Sequence, residues 1–75
     1  MPETLLDVRG LICPLPVLKA NKSLRSLAAG AVLRVLATDP ASMQDFPAFC
    51  AETGHSLLAT EEKEGVFAFL LRKNG

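Results

Sequence analysis

Two rhythms of apolar and polar positions divide this chain. In "TLLDV" (4–8), Leu5, Leu6 and Val8 crowd a stretch too short for a helix, which predicts a strand. From Pro14 to Leu27 the rhythm changes. Leu15, Val17, Leu18, Leu24 and Leu27 recur with Lys19, Lys22 and Arg25 between them, which predicts an amphipathic helix with one face on a sheet. "AAG" is expected to end it, with Gly30 as the left-handed residue after the last turn. "AVLRVLAT" (31–38), β-branched and aliphatic, predicts the second strand. After the turn "DPAS", "MQDFPAFCAETG" predicts a second helix with Asp45 as N-cap, Pro47 in its first turn and Gly54 closing it. "HSLLAT" (55–60) and "VFAFLLR" (66–72) predict two strands joined by the charged turn "EEKEG".

The order is therefore β-α-β-α-β-β. It predicts an α/β (α+β) two-layer fold, a mixed sheet with both helices on one face if the crossovers are right-handed. The last strand is apolar on both sides, with Phe67, Phe69 and Leu71 on one and Val66, Ala68 and Leu70 on the other. Such a strand is expected inside the sheet rather than at its edge. One sheet face then lacks a helical cover. Its apolar residues are either overflow from the core or a surface for a partner.

Composition narrows the function classes. The 75 residues make one domain (1–75), and 49% of them are hydrophobic, high for a chain with so little interior. Eight basic and eight acidic residues cancel, which argues against direct nucleic-acid binding. No apolar run is long enough for a membrane span, and "MPETLLDVRG" has neither the basic start nor the small-residue cleavage site of a secretion signal. Two cysteines do not make a disulfide framework, so a cytoplasmic protein with reduced thiols is expected.

The chemistry centres on "GLICPLPVLKANKSL" (10–24). Pro14 fits the first helical position, because its ring fixes a helical φ and its missing N–H has no use there. Cys13 is then expected at the N-cap, facing free backbone N–H groups and the positive end of the helix dipole. Both favour thiolate and predict a lowered thiol pKa. Pro16, still in the first turn, stiffens the junction. Two readings stand: a rigid, exposed nucleophilic sulfur, or a small apolar residue that happens to precede a helix. Acyl transfer would need a base and an oxyanion hole, and nothing in the sequence places the single histidine, His55, beside Cys13. Attack on another sulfur needs only low pKa and access. Cys50, beside Phe46 and Phe49 in the second helix, is expected to be buried filler. His55 is expected to cap a strand, since the cysteines and histidine match no zinc spacing.

Three blocks, "LDVRGLICPLPVLK", "ATDPASMQDFPAFCAETGH" and "FLLRK", resemble in order and spacing the TusA/SirA-like sulfur carriers, over nearly the whole chain. The resemblance implies sheet order 1-2-4-3 with the last strand antiparallel. It implies that Cys13, in the C-P-x-P motif with Pro14 and Pro16, carries sulfane sulfur as a persulfide, with no metal or organic cofactor. The donor would be a cysteine desulfurase or rhodanese-like protein. The acceptor would be a protein of tRNA thiolation, molybdenum-cofactor synthesis or sulfur oxidation. Such a chain counts as a sulfurtransferase as much as a carrier. Lys19 is implied as a partner-binding residue, and Asp39 matches the family's D-P element. Parallel first and second strands would bring Asp39 near Cys13, where it either contacts partners or shapes a turn. A nearby carboxylate would raise the thiol pKa against the helix end. Two departures, Asn21 at a position often basic and Leu15 at one often polar, bear on partner choice. The competing functions are a regulatory or RNA-associated module of this fold and a redox sensor pairing Cys13 with Cys50.

Overall fold

Alternation along the second and last strands builds the core. In the computed structural model, which describes residues 3–74, β1 (Thr4–Asp7), α1 (Leu15–Arg25), β2 (Val32–Ala37), α2 (Ser42–Thr53), β3 (Ser56–Lys63) and β4 (Val66–Arg72) follow in order. Leu33, Val35 and Ala37 of β2 lie opposite Leu71, Phe69 and Phe67 of β4. All six are buried on the helix side of the sheet. The intervening Val32, Arg34, Leu36, Val66, Ala68 and Leu70 stay half-buried on the other side. The sheet order is β1-β2-β4-β3, with β1 and β2 parallel and β4 antiparallel to both its neighbours, as expected. The doubly apolar β4 is interior.

Pro16, Ala20 and Leu24 give α1 its buried stripe, and Ser42, Phe46, Phe49 and Cys50 do so for α2. Phe46 stacks on Phe69 with ring centroids 4.6 Å apart, which pins α2 over the centre of the sheet. Cys50 is 6% exposed, the core residue expected of it.

Three boundaries differ from expectation, both ends of α1 because of distant contacts. Helix α1 starts at Leu15 with Pro14 as N-cap, so Cys13 lies one residue outside the helix rather than at its cap. The N–H of Cys13 is taken by Asp39, and that of Leu15 by the carbonyl of Ile12. The Cys13–Pro14 peptide is cis. Helix α1 also ends at Arg25, not at Gly30. The Lys73 ammonium donates to the carbonyls of Leu27 (2.6 Å) and Arg25 (3.4 Å), closing the helix end from the far terminus of the chain. Gly30, at φ 84°, instead turns the chain into β2. Helix α2 begins at Ser42, three residues before Asp45, which sits in the first turn. Its start is set by the Asp39 carbonyl, which accepts from Ser42 (3.0 Å). Pro47 therefore falls inside the helix. It and Met43, whose carbonyl loses a partner, are both exposed, so water can serve that oxygen. Gly54, at φ 85°, closes α2 as expected.

Strand β3 runs to Lys63 because β4 offers pairing as far as Val66, so the expected five-residue turn contracts to Glu64 and Gly65. Both have positive φ, 52° and 81°, the mirror-image turn that suits a twisted hairpin. A bulge leaves Leu58 unpaired and exposed, and Glu61, Glu62 and Lys63 charge the outer edge. Glutamate tolerates the left-handed region worse than asparagine. Glu64→Asn is expected to raise stability by about 0.5 kcal/mol, measured as a higher urea midpoint with an unchanged slope.

Candidate functional site

The parallel pairing of β1 and β2 brings both strand ends to one rim of the sheet. The loop after β1 is braced in steps. Arg9 grips Asp7 through Nε (2.9 Å) and Nη2 (2.7 Å), which pulls the exposed Asp7 carboxyl down to about 2. Gly10, at φ 83°, turns the chain, and its N–H donates to Thr38 Oγ1 (2.9 Å). The next tie is Asp39. Its Oδ2 accepts the N–H of Cys13 (2.6 Å) and its Oδ1 that of Ala41 (3.1 Å). Asp39 is thus near Cys13 as expected, with both oxygens engaged by backbone.

Cys13 is exposed and borders a shallow open groove of about 240 Å³. Pro14 and Val17 form the α1 side, and Asp45, Ala48, Phe49 and Glu52 the α2 side. The 45, 48/49, 52 spacing puts these α2 residues on one stripe. Asp45 and Glu52 were not singled out as site residues from the sequence. Their spacing was visible there; that the stripe faces Cys13 was not.

The charge on the sulfur is the main correction to the sequence reading. The thiol pKa is raised, not lowered. The Asp45 carboxylate on the facing wall of the groove is the largest cause, followed by partial desolvation and the charge of Asp39. The helix dipole acts only within the first turn, and Cys13 lies outside that turn with its own N–H pledged to Asp39. Burial pushes the Cys50 thiol up as well.

Of the other residues singled out, Pro16 is buried under α1 and stiffens the junction from inside. Lys19 is exposed on α1, one turn beyond Leu15, and does not line the groove. His55 accepts the Asn74 N–H at Nδ1 (3.1 Å) and tilts against Phe49, ahead of β3, so it is a structural residue at a strand start. Ile12, Leu15 and Leu18, close to the cysteine in the chain, are 70%, 42% and 54% exposed. Among the described residues, no cluster of side chains is suited to holding a metal ion. None of the helices is long and apolar enough to cross a membrane.

The family model described as sulfurtransferase TusA matches residues 4–73. The chain is 49% identical over 69 residues to a sulfur carrier protein TusA of Allochromatium vinosum, covering 92% of this chain and 91% of the relative. It is 50% identical over 72 residues to a putative sulfur carrier protein of Neisseria meningitidis, covering 96% and 97%. The crystal structure of a SirA-like protein from Desulfitobacterium hafniense superposes with a TM-score of 0.84 at 30% identity, covering 96% of this chain and 99% of that one.

Two outcomes are expected. Asparagine offers one acceptor where Asp39 offers two, so Asp39→Asn should cost about 1–2 kcal/mol, read from urea unfolding. Brief alkylation at neutral pH followed by peptide mapping should label Cys13 on the order of a hundredfold faster than Cys50, whose reaction awaits a local opening of ~3 kcal/mol.

Proposed function

The chain belongs to the sulfurtransferase TusA family, and from that premise we propose that it is a sulfur-relay protein whose Cys13 carries sulfane sulfur as a persulfide. The observation that carries this reading is the placement of Cys13. It is an exposed cysteine on a braced loop, at the edge of an open groove and close in the chain to the exposed Ile12 and Leu15. The Cys13 thiolate attacks the outer sulfur of a donor persulfide, R–S–SH. The new Sγ–S bond forms as the donor S–S bond breaks, and the electron pair leaves on the donor thiolate. No metal or organic cofactor enters that exchange.

The donor is a cysteine desulfurase or rhodanese-like protein. The acceptor is a second protein, of tRNA thiolation, molybdenum-cofactor synthesis or sulfur oxidation. The exposed Ile12, Leu15 and Leu18 suit protein partners rather than nucleic acid, and Lys19, on the same exposed side of α1, supplies a charge at their border. A reducing compartment such as the cytoplasm keeps the empty thiol available. Pro14 and Pro16 hold the sulfur at the rim without taking part in the exchange.

The test is intact mass after incubation with a cysteine desulfurase and cysteine. One reductant-labile sulfur is expected on wild type and on Cys50→Ser, and none on Cys13→Ser. Uptake by Cys13→Ser, or by none of the three from any desulfurase, rhodanese or polysulfide donor, overturns the assignment.

A further inference from the structure

Charge on the two helices is sorted by sign. The charged residues of α1 are Lys19, Lys22 and Arg25, all basic, and those of α2 are Asp45 and Glu52, both acidic. Among the described residues the salt bridges are Asp7–Arg9 and Glu3–Arg34, so none of these five charges is paired within the protein. The parallel strands β1 and β2 end on one rim, and each helix follows one of them. Both helices therefore run back from the end that carries Cys13. On α1, Leu15, Leu18, Lys22 and Arg25 are exposed, and their spacing puts them on one stripe. On α2, Asp45, Ala48 and Glu52 line the groove opposite Pro14 and Val17. The groove thus separates the signs, with cations on the helix to one side and carboxylates on the wall of the other.

We propose that this helix face docks a protein partner in one orientation by charge. Basic residues of the partner settle along Asp45 and Glu52, and acidic residues along Lys22 and Arg25. This rests on the sulfur-relay reading and adds the character of the partner's surface. That partner is a second protein whose reactive sulfur lies between a basic and an acidic patch, with apolar surface to cover Leu15 and Leu18. A chain of zero net charge offers no overall attraction, so steering comes from the separation of charge across the face. Docked one way, each line of charge meets its opposite. Turned by half a turn, each meets its like and is repelled. Sulfur exchange gains from that constraint, because it proceeds only with the reacting sulfurs in contact and aligned. A nucleic acid would be drawn to α1 but repelled by the α2 wall. A second copy of this chain would match the same charges but would cover the groove of each.

The experiment uses the full chain and whichever cysteine desulfurase or rhodanese loads the wild type fastest, with polysulfide as a donor too small to dock. Wild type, Glu52→Lys, Lys22→Glu and the double variant are checked by circular dichroism, and initial loading at low salt is read by intact mass. Each single reversal should slow loading by the protein donor roughly three- to tenfold, and added salt should narrow the gap. The double variant restores zero net charge but inverts the pattern, and it should be slower than either single variant. With polysulfide, an anion, Glu52→Lys should instead load faster than wild type. Unchanged loading by the protein donor in both single variants overturns the proposal. Recovery in the double variant does so too, since net charge and not its placement would then matter. Faster loading of Glu52→Lys from both donors overturns it as well, by showing an effect on the thiol alone. So does a dimer of the chain by light scattering that either reversal abolishes. Loading of wild type by polysulfide but by no protein donor overturns the docking and leaves the relay cysteine standing. No uptake from any donor overturns the relay reading itself.

Discussion

The Asp39 carboxylate takes the backbone N–H of Cys13 with one oxygen and that of Ala41 with the other, while its carbonyl receives Ser42. One residue thereby closes the loop after β1, sets the first residue of α1 and starts α2. The contact is possible only because β1 and β2 run parallel and end on one rim. A carboxylate is the side chain that meets both requirements, since it has two acceptor oxygens and no donor to leave unpaired. The loop that carries the sulfur takes its position from this tie, while α2 is seated by Phe46 on Phe69.

The tie also settles what acts on the sulfur. With Cys13 outside the helix and its N–H engaged, the helix end has little hold on the thiol, and the Asp45 carboxylate dominates its electrostatics. Exposure, rather than a stabilised thiolate, is what separates Cys13 from Cys50 in the resting protein. Reactivity in such a site is governed by what docks beside it, because a partner's charge and the exclusion of water both change the balance between thiol and thiolate. The exposed Ile12, Leu15 and Leu18 give such a partner apolar surface to settle on.

A sheet with helices on one face only must dispose of its other face. Here the apolar residues of that face, Val32, Leu36, Val66, Ala68 and Leu70, are half-buried, and Arg34 among them pairs with Glu3 at 2.8 Å. The core proper lies entirely between the sheet and the helices, around the stacked Phe46 and Phe69. The high hydrophobic content of the chain is thus divided among a small complete core, a partly shielded open face and the exposed Ile12, Leu15 and Leu18.

The order of elements, the interior place of β4 and the contrast between Cys13 and Cys50 were all legible in the amino-acid sequence. Each rests on the local period of apolar residues or on the chemistry of a single position. Phe67, Phe69 and Leu71 alternating with Val66, Ala68 and Leu70 pointed to a strand inside the sheet, and Gly54 marked a left-handed helix end on its own. The sheet order 1-2-4-3 came instead from the family resemblance. Both limits of α1 were beyond local reading, because it is started by Asp39 and ended by Lys73, residues far away in the chain. The sign of the charge on the sulfur was beyond it too. Asp45 looked like a cap for its own helix, and only the docking of α2 against the start of α1 turned it toward Cys13. Local periodicity fixes which residues share a face; what that face meets depends on contacts that exist only once the chain has closed.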